Sequence, residues 1–200
     1  MEHPTDSNCI LEACYTCKVI HMYNIDTGKG KIVYKDCIPH AMCHGPDDSV
    51  LVWDGRGNVL QLKWNCEERQ LGLITKHHTK SLNGDSMCYI KDIDVLVMLG
   101  CNDLQAVNLS DGSILWTEKN KRDILKAWTV TCGSDGRVYV CSDAGKLSII
   151  DPFDGDVLQQ IELEDLGSVT AICWTPSQQE LRVLDRGGKI RCYDVKKDLA

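Results

Sequence analysis

Short runs in which apolar and polar residues alternate recur along most of the chain, and they come in pairs separated by a tight turn. The clearest pairs are "VLVWDGRGNVLQLKW" (50–64), "VLVMLGCNDLQAVNL" (95–109), "VYVCSDAGKLSIID" (138–151) and "LRVLDRGGKIRCYDV" (181–195). Alternation with period two predicts half-buried β-strands, and Gly, Asn and Asp supply the positive φ angles that tight hairpins need. We therefore predict a β-hairpin in each of these four segments.

The hairpins repeat at a nearly constant interval. When Gly57, Asn102, Gly145 and Gly188 are taken as turn markers, the spacings are 45, 43 and 43 residues. A further short strand precedes each hairpin, and Gly-containing turns introduce a fourth strand in "DTGKGKIVY" (from 26), "SDGSILW" (from 110) and "FDGDVLQQI" (from 153). Four strands in about 43 residues is the period of a propeller blade. The sequence thus predicts an all-β fold, a β-propeller of four-stranded blades.

The repeat also predicts the organisation of the chain. Complete blades are expected at 37–76, 82–119 and 124–163, with three-stranded partial blades at 9–36 and 166–195. We expect residues 1–8 to be a disordered N-terminus and residues 196–200 to be a tail. This gives four to five blades, so we expect an incomplete ring: either a fragment of a larger propeller or an open arc with exposed edges.

One blade resembles a known repeat family. The segment "GSVTAICWTPSQQELRVLDRGGKIRCYDV" (167–195) is similar to a WD40 repeat, with an apolar strand, a Thr-Pro turn and a hairpin that closes on Tyr193-Asp194, where that family often has Trp-Asp. The segments 104–116 and 135–158 look equally like repeats of quinoprotein-type propellers. Both resemblances imply a β-propeller over nearly the whole chain, and the motifs leave the choice between the two families open.

Composition and charge exclude several classes of protein. The formal net charge is -7 and no basic patch stands out, so we predict no nucleic-acid partner. The N-terminus "MEHPTDSNC" has no positive region followed by an apolar stretch, and apolar runs such as "VLVML" are too short to span a bilayer. We therefore predict a cytoplasmic protein with no membrane partner.

The cysteines raise the possibility of a metal site. Cys14, Cys17, Cys37 and His40 have the spacing C-x2-C-x19-C-x2-H, which falls within the range of zinc sites. In the predicted fold these ligands would have to bridge two blades. Other cysteines occupy one repeated position in the first strands of four successive blades, where a free thiol acts as a small hydrophobe: Cys43, Cys88, Cys132 and Cys173. We predict structural thiols, no metal and no cofactor, and retain the first four residues as candidate zinc ligands.

No catalytic set is recognisable, so the leading functional prediction is a non-catalytic protein–protein interaction scaffold or substrate-recruiting module with other proteins as partners. Propellers present their strand connections for docking, and the charged residues of these connections are the candidate partner-binding positions: Asp47, Asp48, Asp92, Asp94, Lys119, Lys121, Arg122 and Asp123. Two alternatives stay open. The quinoprotein resemblance implies an oxidoreductase, and the cysteine clusters would suit a zinc- or redox-responsive module.

Overall fold

The computed structural model describes most of the chain, and every structural statement below concerns these residues: 2–3, 6–35, 37–79, 85–100, 103–119, 127–142, 145–163, 166 and 168–195. The chain divides into two compact units, Met1–Gly84 and Asp85–Ala200. The described residues of both units form antiparallel sheets, in which each strand is hydrogen-bonded to the strand that precedes or follows it in the sequence.

The first unit contains two four-stranded sheets. The strands of the first sheet are β1 (Glu2–His3), β2 (Asp6–Cys14), β3 (Val19–Asn24) and β4 (Gly30–Tyr34). The strands of the second are β5 (Ala41–His44), β6 (Ser49–Trp53), β7 (Asn58–Asn65) and β8 (Gln70–His78). A 3₁₀ turn, Pro46–Asp48, connects β5 to β6.

The second unit contains three sheets. The first has β9 (Ser86–Ile90), β10 (Val95–Leu99), β11 (Asp103–Asn108) and β12 (Ile114–Lys119), with a 3₁₀ turn, Lys91–Ile93, between β9 and β10. The next has β13 (Ala127–Cys132), β14 (Val138–Ser142), β15 (Lys146–Ile150) and β16 (Val157–Glu162). The last has three strands, β17 (Val169–Thr175), β18 (Glu180–Asp185) and β19 (Ile190–Asp194). Within the ranges that the structure describes, no helix is long and apolar enough to cross a membrane.

The predicted fold class is confirmed: the chain is all-β, a β-propeller of antiparallel blades, of which four have four strands and one has three strands in the described residues. The turn glycines behave as the repeat predicted, since Gly57, Gly145 and Gly188 have φ angles of 83°, 76° and 80°. Only glycine adopts such angles without a steric penalty, so its recurrence marks the hairpin between the second and third strands of a blade. The fourth predicted marker, Asn102, lies outside the described residues.

The first sheet differs from the prediction. Residues 9–36 were expected to supply three strands, whereas the sheet has four, because β1 pairs with β2 and β2 begins at Asp6. Residues 6–8, expected to be disordered, therefore belong to a strand. With only two residues, β1 is too short to show an alternating pattern in the sequence. The strand is defined by its pairing with β2.

Each unit has its own apolar core, formed where the faces of neighbouring sheets pack. In the first unit the core contains side chains from both sheets, among them Leu11, Ile20, Val50 and Leu62, each at most 2% exposed. Such burial of Leu, Ile and Val is the dominant favourable term in folding. The packing brings the connections of the two sheets of the first unit together at one end, and this is where the candidate site lies.

Candidate functional site

The predicted docking residues Asp47 and Asp48 lie on the 3₁₀ turn between β5 and β6, and both side chains are exposed. Their φ angles are 52° and 57°, in the left-handed region. Asp and Asn tolerate this region better than other non-glycine residues. The backbone therefore explains why short polar residues stand here, and their charges project from a fixed turn.

Asp92 and Asp94 lie at the equivalent connection of another sheet, between β9 and β10. Asp92 is exposed, whereas Asp94 is half-buried and its carboxylate accepts a hydrogen bond of 2.8 Å from the Tyr89 hydroxyl. Asp94 thus has a structural partner within its own blade, and Asp92 is the member of the pair that a partner protein can reach.

The other four predicted docking residues, Lys119, Lys121, Arg122 and Asp123, lie at the end of β12 or beyond it in the sequence. Lys119 is the last residue of that strand. Lys121, Arg122 and Asp123 lie outside the described residues. Their role in docking stays a prediction from the sequence.

The candidate zinc ligands lie at two different connections of the first unit. Cys14 ends β2, Cys17 lies in the turn that follows it, and Cys37 and His40 lie between β4 and β5, where Cys37 is buried and His40 exposed. The His40 ring meets the Tyr15 ring edge-on, with 4.6 Å between their centroids. Among the residues the structure describes, no three His, Cys, Asp or Glu side chains come together as metal ligands.

The packing of the first unit forms a pocket of 480 Å³, which we call the basic pocket. Cys17 and Cys37 line it together with three cationic side chains, and the described lining residues are Cys17, Lys18, Val19, Lys35, Cys37, Ile38 and Arg56. Lys18, Lys35 and Arg56 are all exposed at its rim. The described lining residues carry three positive charges and no negative charge, in a chain whose net charge is -7.

The sequence had no signal for the positive charge of this pocket, because its three cations come from separate segments. Lys18 is in the turn after β2, Lys35 follows β4, and Arg56 is in the turn between β6 and β7. None of these segments carries a run of basic residues. The "CYTC" spacing was the one feature of the sequence that pointed to this region.

The backbone of Arg56 is held in place by the carboxylate of Asp54. The Asp54 carboxylate is buried and accepts hydrogen bonds from the backbone N–H groups of Arg56 (2.8 Å) and Asn58 (3.1 Å), and from the Asn58 amide (2.7 Å). An Asp that bonds the backbone two residues onward is a common way to fix a turn. The turn that presents Arg56 to the pocket is therefore well defined, although the Arg56 side chain itself is exposed.

Gly55, which is in the same turn as Arg56, packs against His40. Its φ is +66°, and a Cβ added there would collide with the imidazole ring of His40. A side chain is excluded at this position on both counts. The His40 ring is thus seated between Tyr15 and the β6–β7 turn, and it joins connections from both sheets of the first unit.

The two thiols of the "CYTC" segment contact each other in the turn between β2 and β3. The backbone N–H of Cys17 donates to the Cys14 Sγ at 3.2 Å, and the Thr16 hydroxyl lies 3.6 Å from the same sulfur. Hydrogen bonding from the Cys17 thiol, then from the Thr16 hydroxyl and the Cys17 N–H, lowers the pKa of Cys14 below that of an ordinary thiol. Donation to Cys14 raises the pKa of Cys17. The turn thus lowers the pKa of Cys14 and raises that of Cys17.

Comparisons with known proteins identify the fold. No protein-family model matches the chain, and no curated protein matches it. Among solved structures, 1479 chains match. One of them, from a structure titled "Crystal Structure of Mitotic Checkpoint Complex", aligns with a TM-score of 0.68 at 13% sequence identity.

This alignment covers 95% of the present chain and 58% of the other, so the present chain spans less than two thirds of that neighbour's length. Identity of 13% carries no information about residues of a site. The likeness therefore shows the β-propeller fold, in agreement with the sheet topology, and leaves the function to be inferred from the side chains.

Proposed function

We propose that the chain is a non-catalytic, WD40-like protein–protein interaction scaffold or substrate-recruiting module that acts in the cytoplasm. The observation that carries this proposal is the pair of exposed 3₁₀ turns, Pro46–Asp48 and Lys91–Ile93, at equivalent connections of two sheets. Both turns present carboxylates to solvent on a scaffold of buried strands. Binding residues are commonly found on loops that a rigid framework positions.

The likeness to solved structures is compatible with this role. The neighbour described above belongs to a structure whose title names a complex, so that protein assembles with others. Fold alone does not assign a function, and the likeness supports the proposal only together with the exposed turns. Partners that these turns would attract carry positive charge at the contact, because Asp47, Asp48 and Asp92 are all acidic.

The test compares two charge-neutralised variants as baits. In D47N/D48N both residues keep a side chain suited to a positive φ, so the turn is preserved while two charges are lost. The matched control, E67Q/E68Q, removes two exposed carboxylates from the β7–β8 turn of the same sheet. Proteins captured from cytosolic extract by the unmodified chain are identified by quantitative mass spectrometry, and the most enriched one is purified for affinity measurement.

We expect D47N/D48N to weaken binding about three- to tenfold, since exposed charge pairs contribute up to about 1 kcal/mol each, and E67Q/E68Q to bind like the unmodified chain. Failure of the bait to enrich any protein above a bead control would reject the scaffold function. Equal affinity for both variants would reject the β5–β6 turn as the docking surface.

A further inference from the structure

We propose that Cys14 and Cys17 form a redox-active dithiol that exchanges with an anionic low-molecular-weight disulfide bound in the basic pocket of Lys18, Lys35 and Arg56. This inference concerns a second activity and does not depend on the scaffold function. It uses the residues that the zinc hypothesis singled out, and assigns to them a different chemistry.

The first support is the geometry of the two thiols. Both belong to one short connection, in which Cys14 pairs with Val19 across the hairpin and Cys17 is the third of four turn residues. The Cys17 nitrogen is 3.2 Å from the Cys14 sulfur, and the Thr16 hydroxyl lies within 3.9 Å of the Cys17 sulfur. A disulfide between them therefore requires rearrangement of the turn alone, with the strands left in place.

The second support comes from an equivalent turn in the same unit. The β7–β8 turn also has four residues, and Asn65 occupies the position of Cys14, because Asn65 pairs with Gln70 as Cys14 pairs with Val19. Both turns end in a residue with positive φ, Lys18 at 58° and Arg69 at 51°.

Asn65 performs the structural task of this position with an amide. Its Oδ1 accepts the backbone N–H groups of Glu67 (3.0 Å) and Glu68 (3.2 Å), much as the Cys14 sulfur accepts that of Cys17. Sulfur is the weaker acceptor, so capping the turn gives no reason for a thiol. A thiol at position 14, three residues before a second thiol, is explained by a redox reaction that uses both sulfurs.

The third support is the surroundings of Cys17. Its thiol is exposed and lines the basic pocket, whose volume of 480 Å³ is within the range of small-molecule sites. Three cations around an accessible thiol attract anions and raise the local concentration of an anionic reactant. A disulfide that carries carboxylates fits the positive charges of the lining residues, and its S–S bond can react by exchange with the dithiol whose Cys17 lines the pocket.

The exchange balances without any further reactant. The Cys14 thiolate attacks one sulfur of the bound disulfide RSSR, an S–S bond forms between Cys14 and that sulfur, and RS⁻ leaves and takes a proton from solvent. Cys17 then loses its proton to solvent and attacks the Cys14 sulfur, and the second RS⁻ leaves and is protonated. The two cysteines are oxidised to a disulfide while RSSR is reduced to two RSH.

The experiment follows the reaction of the whole reduced chain with two probes. Glutathione disulfide is anionic, whereas 2-hydroxyethyl disulfide is neutral and has the same reactive bond. Samples are quenched with acid, alkylated, and mapped by mass spectrometry, so that the Cys14–Cys17 disulfide is quantified at each time. Cys66, an exposed thiol in the equivalent turn, serves as the internal reference.

With glutathione disulfide we expect the Cys14–Cys17 pair to be oxidised at least about tenfold faster than Cys66 is modified, since thiolate character and local positive charge both accelerate exchange. In K35Q/R56Q the rate with glutathione disulfide should fall about tenfold, and the rate with the neutral probe should change less than about twofold. C66S is the matched control and should leave both rates unchanged.

C14N tests the order of attack in a chain that folds normally, because Asn65 shows that an amide caps this type of turn. This variant lacks the attacking thiol, so it should form no intramolecular disulfide and should react with glutathione disulfide more slowly than the unmodified chain. C17S keeps the attacking thiol and should instead retain the first thiol as a mixed disulfide at Cys14. Circular dichroism checks that each variant is folded. The proposal is overturned if the pair reacts no faster than Cys66, if oxidation links other cysteines such as Cys88 and Cys132, or if K35Q/R56Q slows both probes equally.

Discussion

The side chain of Trp116 offers a direct test of how neighbouring blades of the second unit are held together. Trp116 lies on β12 and is 8% exposed, and its indole N–H donates to the Pro152 carbonyl in the β15–β16 turn at 2.7 Å. The ring also lies against Gly155, where an added Cβ would come within 2.8 Å of the indole. In W116F the ring shrinks, the donor is lost and the Pro152 carbonyl is left without this partner.

The expected cost follows from these contacts. A buried carbonyl that loses its donor costs about 1–3 kcal/mol, and the space left by the smaller ring adds to this, so W116F should lower the free energy of unfolding by about 2–4 kcal/mol. The matched control is W128F, the same chemical change at a tryptophan that is 53% exposed. It should change the free energy by less than about 0.5 kcal/mol.

Urea denaturation followed by far-UV circular dichroism measures both variants. This signal reports the sheets rather than the substituted tryptophan, and the midpoint shifts without a change of slope if only stability is altered. Free energies of unfolding for W116F and W128F that agree within about 0.5 kcal/mol would refute the assigned role of the Trp116–Pro152 contact.

Two further predictions test the turns and the core. G55A should destabilise the chain by about 1–3 kcal/mol more than G28A, because both glycines have positive φ (+66° and +64°) but only at Gly55 does an added Cβ meet a neighbour, His40; equal urea midpoints would contradict this. Burial raises the pKa of the Cys141 thiol to about 12 from a value of 9.0, so its contribution to stability is complete below pH 9 and is lost as the pH rises toward 12. The free energy of unfolding of the unmodified chain should therefore fall with pH above pH 9, and in C141A this fall should be smaller by up to about 1.4 kcal/mol per pH unit. An equal fall in both proteins would contradict the raised pKa of Cys141.

The sheets could be predicted from the sequence because their signals are local. Strand β10 is a continuous apolar run whose five residues are all buried, and the turns at Gly57, Gly145 and Gly188 have the positive φ angles that glycine marks. Each of these features is written within a few neighbouring residues. Strand β1 was missed for the corresponding reason, since its two residues are defined by pairing with β2.

The basic pocket could not be predicted, because its walls are brought together by the packing of two sheets. Lys18, Lys35 and Arg56 are separated by 17 and 21 residues, and each is by itself an ordinary surface cation. The contact of His40 with Gly55 likewise joins two connections that no spacing rule links. Of the candidate zinc ligands Cys14, Cys17, Cys37 and His40, only Cys17 and Cys37 line this pocket, and among the described residues no three metal-ligating side chains come together. Spacing along the chain does not fix how side chains converge.

The charge of this pocket is a consequence of backbone structure as much as of composition. Two of the three cations belong to turns with a defined conformation. Lys18 has a positive φ, and Arg56 stands between Gly55 and Gly57, both with positive φ, in a turn fixed by buried Asp54. Long cationic side chains on such fixed turns keep their charges near Cys17 without needing a specific ion pair. Ionic strength should therefore affect an anion entering the pocket, because exposed charges are screened by salt, while the contact between the two thiols stays the same. The two parts of the proposed exchange site are thus separable: the cations govern how fast an anionic disulfide arrives, and the turn governs whether Cys14 and Cys17 can close on each other.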